Sequence, residues 1–353
     1  MAQAGFLAGV ASPPSLGAGV PAPGAESNRE DLLDFVLNLD KEKAAAVFVA
    51  APKTVANGMN HEWLTEGLPA TATGGRLEGN DWGSATATMS ARTRLANAVQ
   101  TLQFDFSVSM DQVEYSRKGR TPGVANEYEH QVQNHLLVLE QSVDARAVAL
   151  GTSVASVSAS ASSVSALMGA IRNWQTSATA ATGTLQSGAN VNYSLNISGA
   201  WSRARYLQLH EAMFTAGANP NTLAVDPGVK SDITTDILGE GAGAASAFAR
   251  QIHFDSSQTE FTQDIQYMRT DYGRVAILVD RFIPTAALST ANALAGGAFF
   301  LYDRAKVRFA FWRPMRHYPI PPTGDYFKGY VHCGVTLEEL HPKTVGIGYN
   351  VTT

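Results

Sequence analysis

The sharpest pattern in the chain is the alternation of Leu102, Phe104, Phe106 and Val108 with Gln103, Asp105, Ser107 and Ser109, which a strand with one buried face requires. After the turn residues Gly119, Thr121, Pro122 and Gly123 the spacing changes. Val132, Leu136, Leu139 and Val143 recur at i, i+4, i+7 and i+11, one face of a helix predicted from about Asn126 to Leu150, the longest in the chain. A second helix is predicted from Trp201 to Phe214, ended by Gly217, Asn219 and Pro220. A short strand over Thr222 to Val225 follows, then a helix start with Asp226 as cap and Pro227 in its first turn. The last third reads as strand. Arg274 to Asp280 holds the run Val275 to Val279, expected to be buried. Val307, Phe309 and Phe311 alternate with Arg308 and Ala310 until Pro314, where the pattern is expected to break. Val331, Cys333, Val335 and Leu337 alternate with His332, Gly334 and Thr336, which puts Cys333 on an apolar face as a packing residue.

Other stretches carry no core pattern. Residues 1–28, rich in Pro, Gly and Ala, read as an arm, followed by a short amphipathic helix capped by Ser27 or Asn28 and carrying Leu32, Leu33, Phe35, Val36 and Leu39. From His61 to Thr88 there is no helical period, and Trp63 and Trp82 stand among Gly, Thr and charged residues. A loop of that length inside a folded chain is expected to be functional, here as an extension reaching another subunit. Of the 40 residues from Gly151 to Asn190, 27 are Gly, Ala, Ser or Thr, the composition of a linker, with Met168 to Trp174 its one apolar knot.

The length of 353 residues allows one elaborated domain or two packed subdomains. Charge alters the picture more. Acidic side chains number 31 against 26 basic, a formal net charge of −5, which argues against a dedicated nucleic-acid binder. Charged residues are 16% of the chain, against about 25% in an ordinary soluble domain. Small residues replace them, giving a weakly solvated surface suited to being covered by other copies. The single Cys333 excludes an intramolecular disulfide and any multi-cysteine metal site. The longest apolar run stops at Pro52, and no basic residue precedes Arg29, so neither a membrane span nor a secretory signal is expected.

Candidate chemistry is sparse. His130 and His135, five residues apart on one helix, point about 140° away from each other and cannot share a metal. His61-Glu62 and His210-Glu211 lack the second histidine of a zincin motif, and no phosphate-binding loop or G-x-S-x-G elbow occurs. Gly239, Gly241 and Gly243 read as a loop. Arg304, Lys306, Arg308, Arg313 and Arg316, interleaved with Phe309, Phe311 and Trp312, look like a stacking surface for single-stranded nucleic acid. Alternation gives the preferred account, with the aromatics in the core and the cations solvated. No cofactor, metal or catalytic site is predicted.

The order of these segments resembles the major capsid proteins of tailed bacteriophages, the coat-protein fold named for phage Hong Kong 97. The likeness is carried by Glu62-Trp63-Leu64-Thr65-Glu66, Arg92 through Ser109, the long helix ending in Asp144-Ala145-Arg146-Ala147, and Met168 through Trp174. It continues through Ala218 to Pro227, Thr270 to Arg274, Arg313-Pro314 and Thr323 to Lys328. The resemblance implies an α+β fold with an N-terminal arm (1–60), an extended loop (61–92), a peripheral domain with the long spine helix and terminal strands (93–184 and 299–353), and an axial domain (185–298). It implies a non-enzymatic subunit that forms the hexamers and pentamers of an icosahedral virion shell around packaged double-stranded DNA, assembled in the bacterial cytoplasm. The expected partners are the chain itself, a portal protein, a separate scaffolding protein, a decoration protein and, without sequence specificity, the DNA, with no membrane. The residues expected to touch neighbouring subunits are Trp63, Glu66, Arg76, Glu78, Asp81, Arg92 and Arg94 of the loop, opposite Glu127 and Glu129 at the start of the spine helix.

Two departures from other members follow from the sequence. No lysine occurs between Lys53 and Lys118, so the loop cannot supply one for an isopeptide cross-link, and with so short a segment before the loop no built-in scaffolding domain is expected. The alternatives are another self-assembling virion component, or a hydrolase with an unrecognised nucleophile.

Overall fold

The computed structural model describes residues 45–67, 78–79, 92–115, 126–148, 166–175, 183–188, 191–238, 265–283, 297–322 and 324–351. The chain runs α1 (Ala46–Ala50), β1 (Lys53–Val55), β2 (Asn60–Glu66), β3 (Arg92–Ala98), β4 (Gln100–Ser109), α2 (Met110–Tyr115) and α3 (Glu127–Val148). It continues through β5 (Leu185–Gly188), β6 (Val191–Gly199), α4 (Arg203–Thr215), β7 (Thr222–Val225) and α5 (Pro227–Leu238). The remainder is β8 (Tyr267–Thr270), β9 (Gly273–Val279), β10 (Gly297–Tyr302), β11 (Val307–Ile320), β12 (Tyr326–Glu339) and β13 (Val345–Val351), with 3-10 turns at Ile171–Trp174 and Pro342–Thr344. The strands make a four-stranded sheet ordered β1-β11-β12-β4, a seven-stranded sheet ordered β5-β6-β13-β10-β7-β9-β8, and a two-stranded ribbon β2-β3. The expected arm helix near Leu32 to Leu39 and the glycines at 239, 241 and 243 lie outside the described residues.

In the four-stranded sheet the alternation of β4 does what it predicts. Leu102, Phe104 and Phe106 turn inward to a core containing Leu139, Val143 and Ala147 of α3 and Phe309, Val331, Cys333, Val335 and Leu337 of the neighbouring strands. Helix α3 starts where the Asn126 side chain accepts the Glu129 N–H at 3.0 Å, a cap for an otherwise orphan donor. The expected break at Pro314 does not occur, since β11 continues to Ile320. Strand β1 covers only Phe309 to Phe311 on the outer edge of β11, and the register shifts on both sides of Arg313. Pro314 therefore sits on an open, bulged edge, where its missing N–H removes no ladder bond.

The seven-stranded sheet is covered on both faces at its centre. Leu223, Val225, Phe299 and Leu301 point into a core with Tyr206, Leu209 and Met213 of α4 and Val229 and Ile233 of α5. Ala224, Phe300, Tyr302, Val345 and Ile347 point the other way, into the core shared with α1, α3 and the four-stranded sheet. One continuous interior thus joins the two sheets, and β10 reads as an unbroken apolar run rather than an alternation. Helix α4 approaches β13 over Gly346, where a Cβ would stand 2.5 Å from Met213 Sδ, and the Phe299 ring occupies the space beside Gly348. In β9 only Val275 is fully buried and Val279 is exposed, so the run to Val279 is not the interior strand expected. It lies beside the edge strand β8, with Ile277 and Leu278 only partly buried against the two cores.

The two terminal strands do not pair with each other. Strand β12 belongs to the four-stranded sheet, whereas β13 is inserted between β6 and β10 of the other. Strands β10 and β13 therefore side with 185–279, and the boundary expected near residue 298 falls inside one sheet. Strand β6 was not predicted at all. Its Asn192 and Ser194 are buried with the flanking Tyr193 and Leu195; Asn192 Nδ2 donates to Ile171 O at 2.7 Å and Ser194 Oγ to Gln186 Oε1 at 3.2 Å.

Candidate assembly surface

The stretch read as an unpatterned loop from His61 begins as ordered ribbon. Residues Asn60 to Glu66 pair antiparallel with Arg92 to Ala98. His61, Trp63 and Thr65 face the body, together with Leu95 and Asn97, while Glu62, Leu64, Glu66, Arg92 and Arg94 face outward. Trp63 anchors the ribbon. Its Nε1–H donates to Glu339 O at the end of β12 at 2.8 Å, and its ring meets Trp174 edge-on at 5.6 Å. Below it, Asn97 Nδ2 donates to Leu337 O at 2.8 Å and Asn97 Oδ1 accepts the Gly169 N–H at 2.8 Å, which ties in the apolar knot at Met168 to Trp174. Trp63 is 9% exposed and packs within its own subunit.

The outward charges also meet first within the ribbon. Arg92 Nε lies 2.8 Å from Glu66 Oε2, directly opposite in register, and Arg94 Nη1 lies 3.3 Å from Glu62 Oε2. Between these pairs Leu64 is 65% exposed. Sequence reasoning passed over Leu64, although an apolar residue flanked by Glu62 and Glu66 was its available signal. Glu78 lies in an exposed turn at 78–79, and Arg76 and Asp81 lie outside the described residues. Glu127 accepts from Gln131 Nε2 at 2.7 Å in the first turn of α3, next to the capped Glu129.

A second anchor holds the segment that leads into the ribbon. Phe48 N–H donates to Asp144 Oδ1 of α3 at 2.7 Å and Val47 N–H to Asp280 Oδ2 at 3.3 Å, so two carboxyls satisfy the first donors of α1. Both carboxyls are fully buried. Burial, then the hydrogen bond and negative charge of Asp280, push Asp144 from 3.8 to about 9. Among the described residues Asp144 Oδ2 has no hydrogen-bond partner, a buried oxygen that is less costly protonated than charged. The buried Tyr302 hydroxyl is raised by the same desolvation and by both carboxyls.

The far end of the β11–β12 hairpin exposes Tyr318, Ile320, Tyr326 and Phe327, apolar positions that sequence reasoning had not marked. Such a patch beyond the covered core is typical of a surface that meets another protein. Among the described residues, the groups that could do chemistry are engaged in packing or local bonds. Burial pushes the Cys333 thiol up to about 12, away from nucleophilic character. His130 and His135 bind within their own helix, to Asn134 at 3.1 Å and Gln131 O at 2.7 Å. Among the described residues no group of His, Cys, Asp and Glu could hold a metal ion, and no helix is long and apolar enough to cross a membrane.

This arrangement of helix, sheets and ribbon superposes on solved shell proteins over most of the chain. The capsid of the native GTA particle, computed with C5 symmetry, superposes with a TM-score of 0.60 at 13% identity, covering 96% of this chain and 100% of that one. The cyanophage A-1(L) capsid gives 0.60 at 15% identity, covering 93% and 98%. A structure from Mycobacterium phage Adephagia gives 0.55 at 13%, covering 95% and 98%. At such identities the likeness is one of fold, and the fold is that of phage capsid subunits, as the sequence implied. No curated protein matches the chain. The family model of the SU10 major capsid protein matches residues 20–352, and the chain belongs to that family. It is a capsid shell protein, a structural component of the virion.

Proposed function

We propose that copies of this chain associate as hexamers and pentamers and close into an icosahedral shell around packaged double-stranded DNA, without catalytic activity of their own. In this reading α3 with the four-stranded sheet is the peripheral domain, the seven-stranded sheet with α4 and α5 is the axial domain, and β2-β3 is the base of the extended loop. A portal protein, a separate scaffolding protein and a decoration protein are the expected partners, and assembly takes place in the bacterial cytoplasm.

The observation that carries the reading is the two-sided ribbon. Its inner face is fixed to the body by Trp63, and its outer face offers Leu64 framed by the Glu62–Arg94 and Glu66–Arg92 pairs. Each exposed pair contributes about 0–1 kcal/mol, so they set register on a neighbour, while buried apolar area repeated over many contacts supplies the strength. The test is Leu64→Asp, examined by negative-stain electron microscopy and by thermal melting of the unassembled subunit. Loss of shells at an unchanged melting temperature is expected, and normal shells would defeat the assignment of this face.

A further inference from the structure

The structure divides the cation-rich stretch from Arg304 to Arg316: Arg304 Nε donates to Ala50 O at the end of α1, while Arg313 and Arg316 take no part in the anchors above. Phe309 is in the core, whereas the strand beyond it turns a different set of side chains outward, on the sheet face opposite α3. There Arg316 stands in register with His332 and Tyr318 with Tyr330. The rings are near-parallel: Tyr318 to Tyr330 is 5.5 Å at 14°, Tyr318 to His332 is 4.8 Å at 18°, and Tyr330 to His332 is 5.6 Å at 26°. Three similar distances describe an overlapping raft, since in a linear pile the outer pair would lie far beyond the inner ones. Arg313, Pro314 and Arg316 wall the raft into an open groove of about 350 Å³, within the size range of ligand sites.

The groove's polar groups are unspent. Neither Arg313 nor Arg316 has a carboxylate within ion-pair distance among the described residues, and Arg313 lies over the Trp312 ring at 4.4 Å. Asp105, opposite Tyr330 in β4, accepts from Gln103 Nε2 at 2.7 Å. His332 is 7% exposed, lines the groove, and its buried Nδ1 has no hydrogen-bond partner. Burial and the Arg313 charge lower its pKa, so the ring is neutral at pH 7.

We propose that this groove binds a nucleic-acid strand with accessible bases, Arg313 and Arg316 taking phosphates while a base stacks on the exposed Tyr318. Guanidinium groups match phosphate oxygens in pairs, and a flat aromatic surface accepts any base face. An acidic peptide would satisfy the arginines and leave the raft with nothing planar to meet, and a closed duplex keeps its bases inside. The inference is independent of the shell reading.

The test uses the full chain, as unassembled subunits and as shells, with a fluorescent oligothymidylate read by anisotropy over a salt series. A blunt duplex and polyglutamate of matched charge are the controls. Native protein is expected to prefer the oligothymidylate to both. Arg313→Ala with Arg316→Ala should weaken binding about tenfold or more and reduce the salt slope by about 1.4, at about 0.7 per phosphate for single strands. Tyr318→Leu should weaken binding at least about fivefold with the slope intact. All three positions are exposed, and the melting temperature reports whether each variant folds; Arg313→Gln with Arg316→Gln replaces any that does not. Unchanged affinity in the arginine variants, or equal binding of duplex or polyglutamate, would overturn the proposal. So would variants that fail to form shells while still binding the oligonucleotide as native, which would make the face a contact between copies.

Discussion

Replacing Asp144 with Asn tests whether the carboxyl pair holds its proton. Asn keeps an oxygen for the Phe48 N–H and places an N–H toward Asp280, where the shared proton stands. In the native chain burial and Asp280 raise Asp144 from 3.8 to about 9. The folded state therefore retains a proton that the unfolded chain releases above about pH 4. The native state binds more protons than the unfolded state in this window, so stability falls as pH rises from about 4 to about 9 and is level above that. Each unit costs about 1.4 kcal/mol, and the three or so units up to neutral pH amount to about 4 kcal/mol. Asn titrates nowhere and escapes this slope. Denaturant unfolding of the unassembled subunit, native against Asp144→Asn, should show a gap that moves in the variant's favour by up to about 1.4 kcal/mol per unit between about pH 5 and about pH 8. A gap independent of pH, or a variant that loses ground as pH rises, would refute the shared proton.

Trp63→Phe keeps an aromatic ring but strands the Glu339 carbonyl, at a cost of about 1–3 kcal/mol. Hydrogen exchange at residues 60–66 should accelerate well before that of β12, and unchanged exchange would show that the indole N–H does not hold the ribbon. Gly348→Ala pushes a methyl into the Phe299 ring in the sheet centre and should destabilise by about 1–3 kcal/mol in thermal melting, whereas a neutral result would mean that β13 can shift. Cys333, fully buried with its thiol raised to about 12, should resist alkylation at pH 8 until the chain unfolds, and rapid labelling of the native subunit would contradict that packing.

Strand β4 and helix α3 were legible because each has one wet face and one dry one, so side-chain chemistry alternates with position. Strand β10 was not, since Phe299 and Phe300 point into opposite interiors and no period survives. The ribbon defeats pattern reading differently: Leu64 faces out while His61 and Thr65 face in, so polarity and burial do not run together. Its anchor partner is the Glu339 carbonyl, 276 positions away, and a backbone acceptor carries no residue signature at all. The same holds for Asp144 and Asp280, each unremarkable alone. Around Arg313 the sequence showed the cations but not the raft, because Tyr330 and His332 come from β12 and reach Tyr318 only through strand register.

The seven-stranded sheet also sets an order of events in time. Strand β13 bridges β6, made long before it, and β10, so among the described residues the two parts of that sheet are joined through residues 345–351 alone. During synthesis β5-β6 on one side and β10-β7-β9-β8 on the other keep open edges until β13 emerges. Such late, long-range closure is slow compared with local folding and leaves partly built sheets open to wrong pairing. The seven-stranded sheet, and the core packed on both of its faces, is therefore completed only after residues 345–351 have been made.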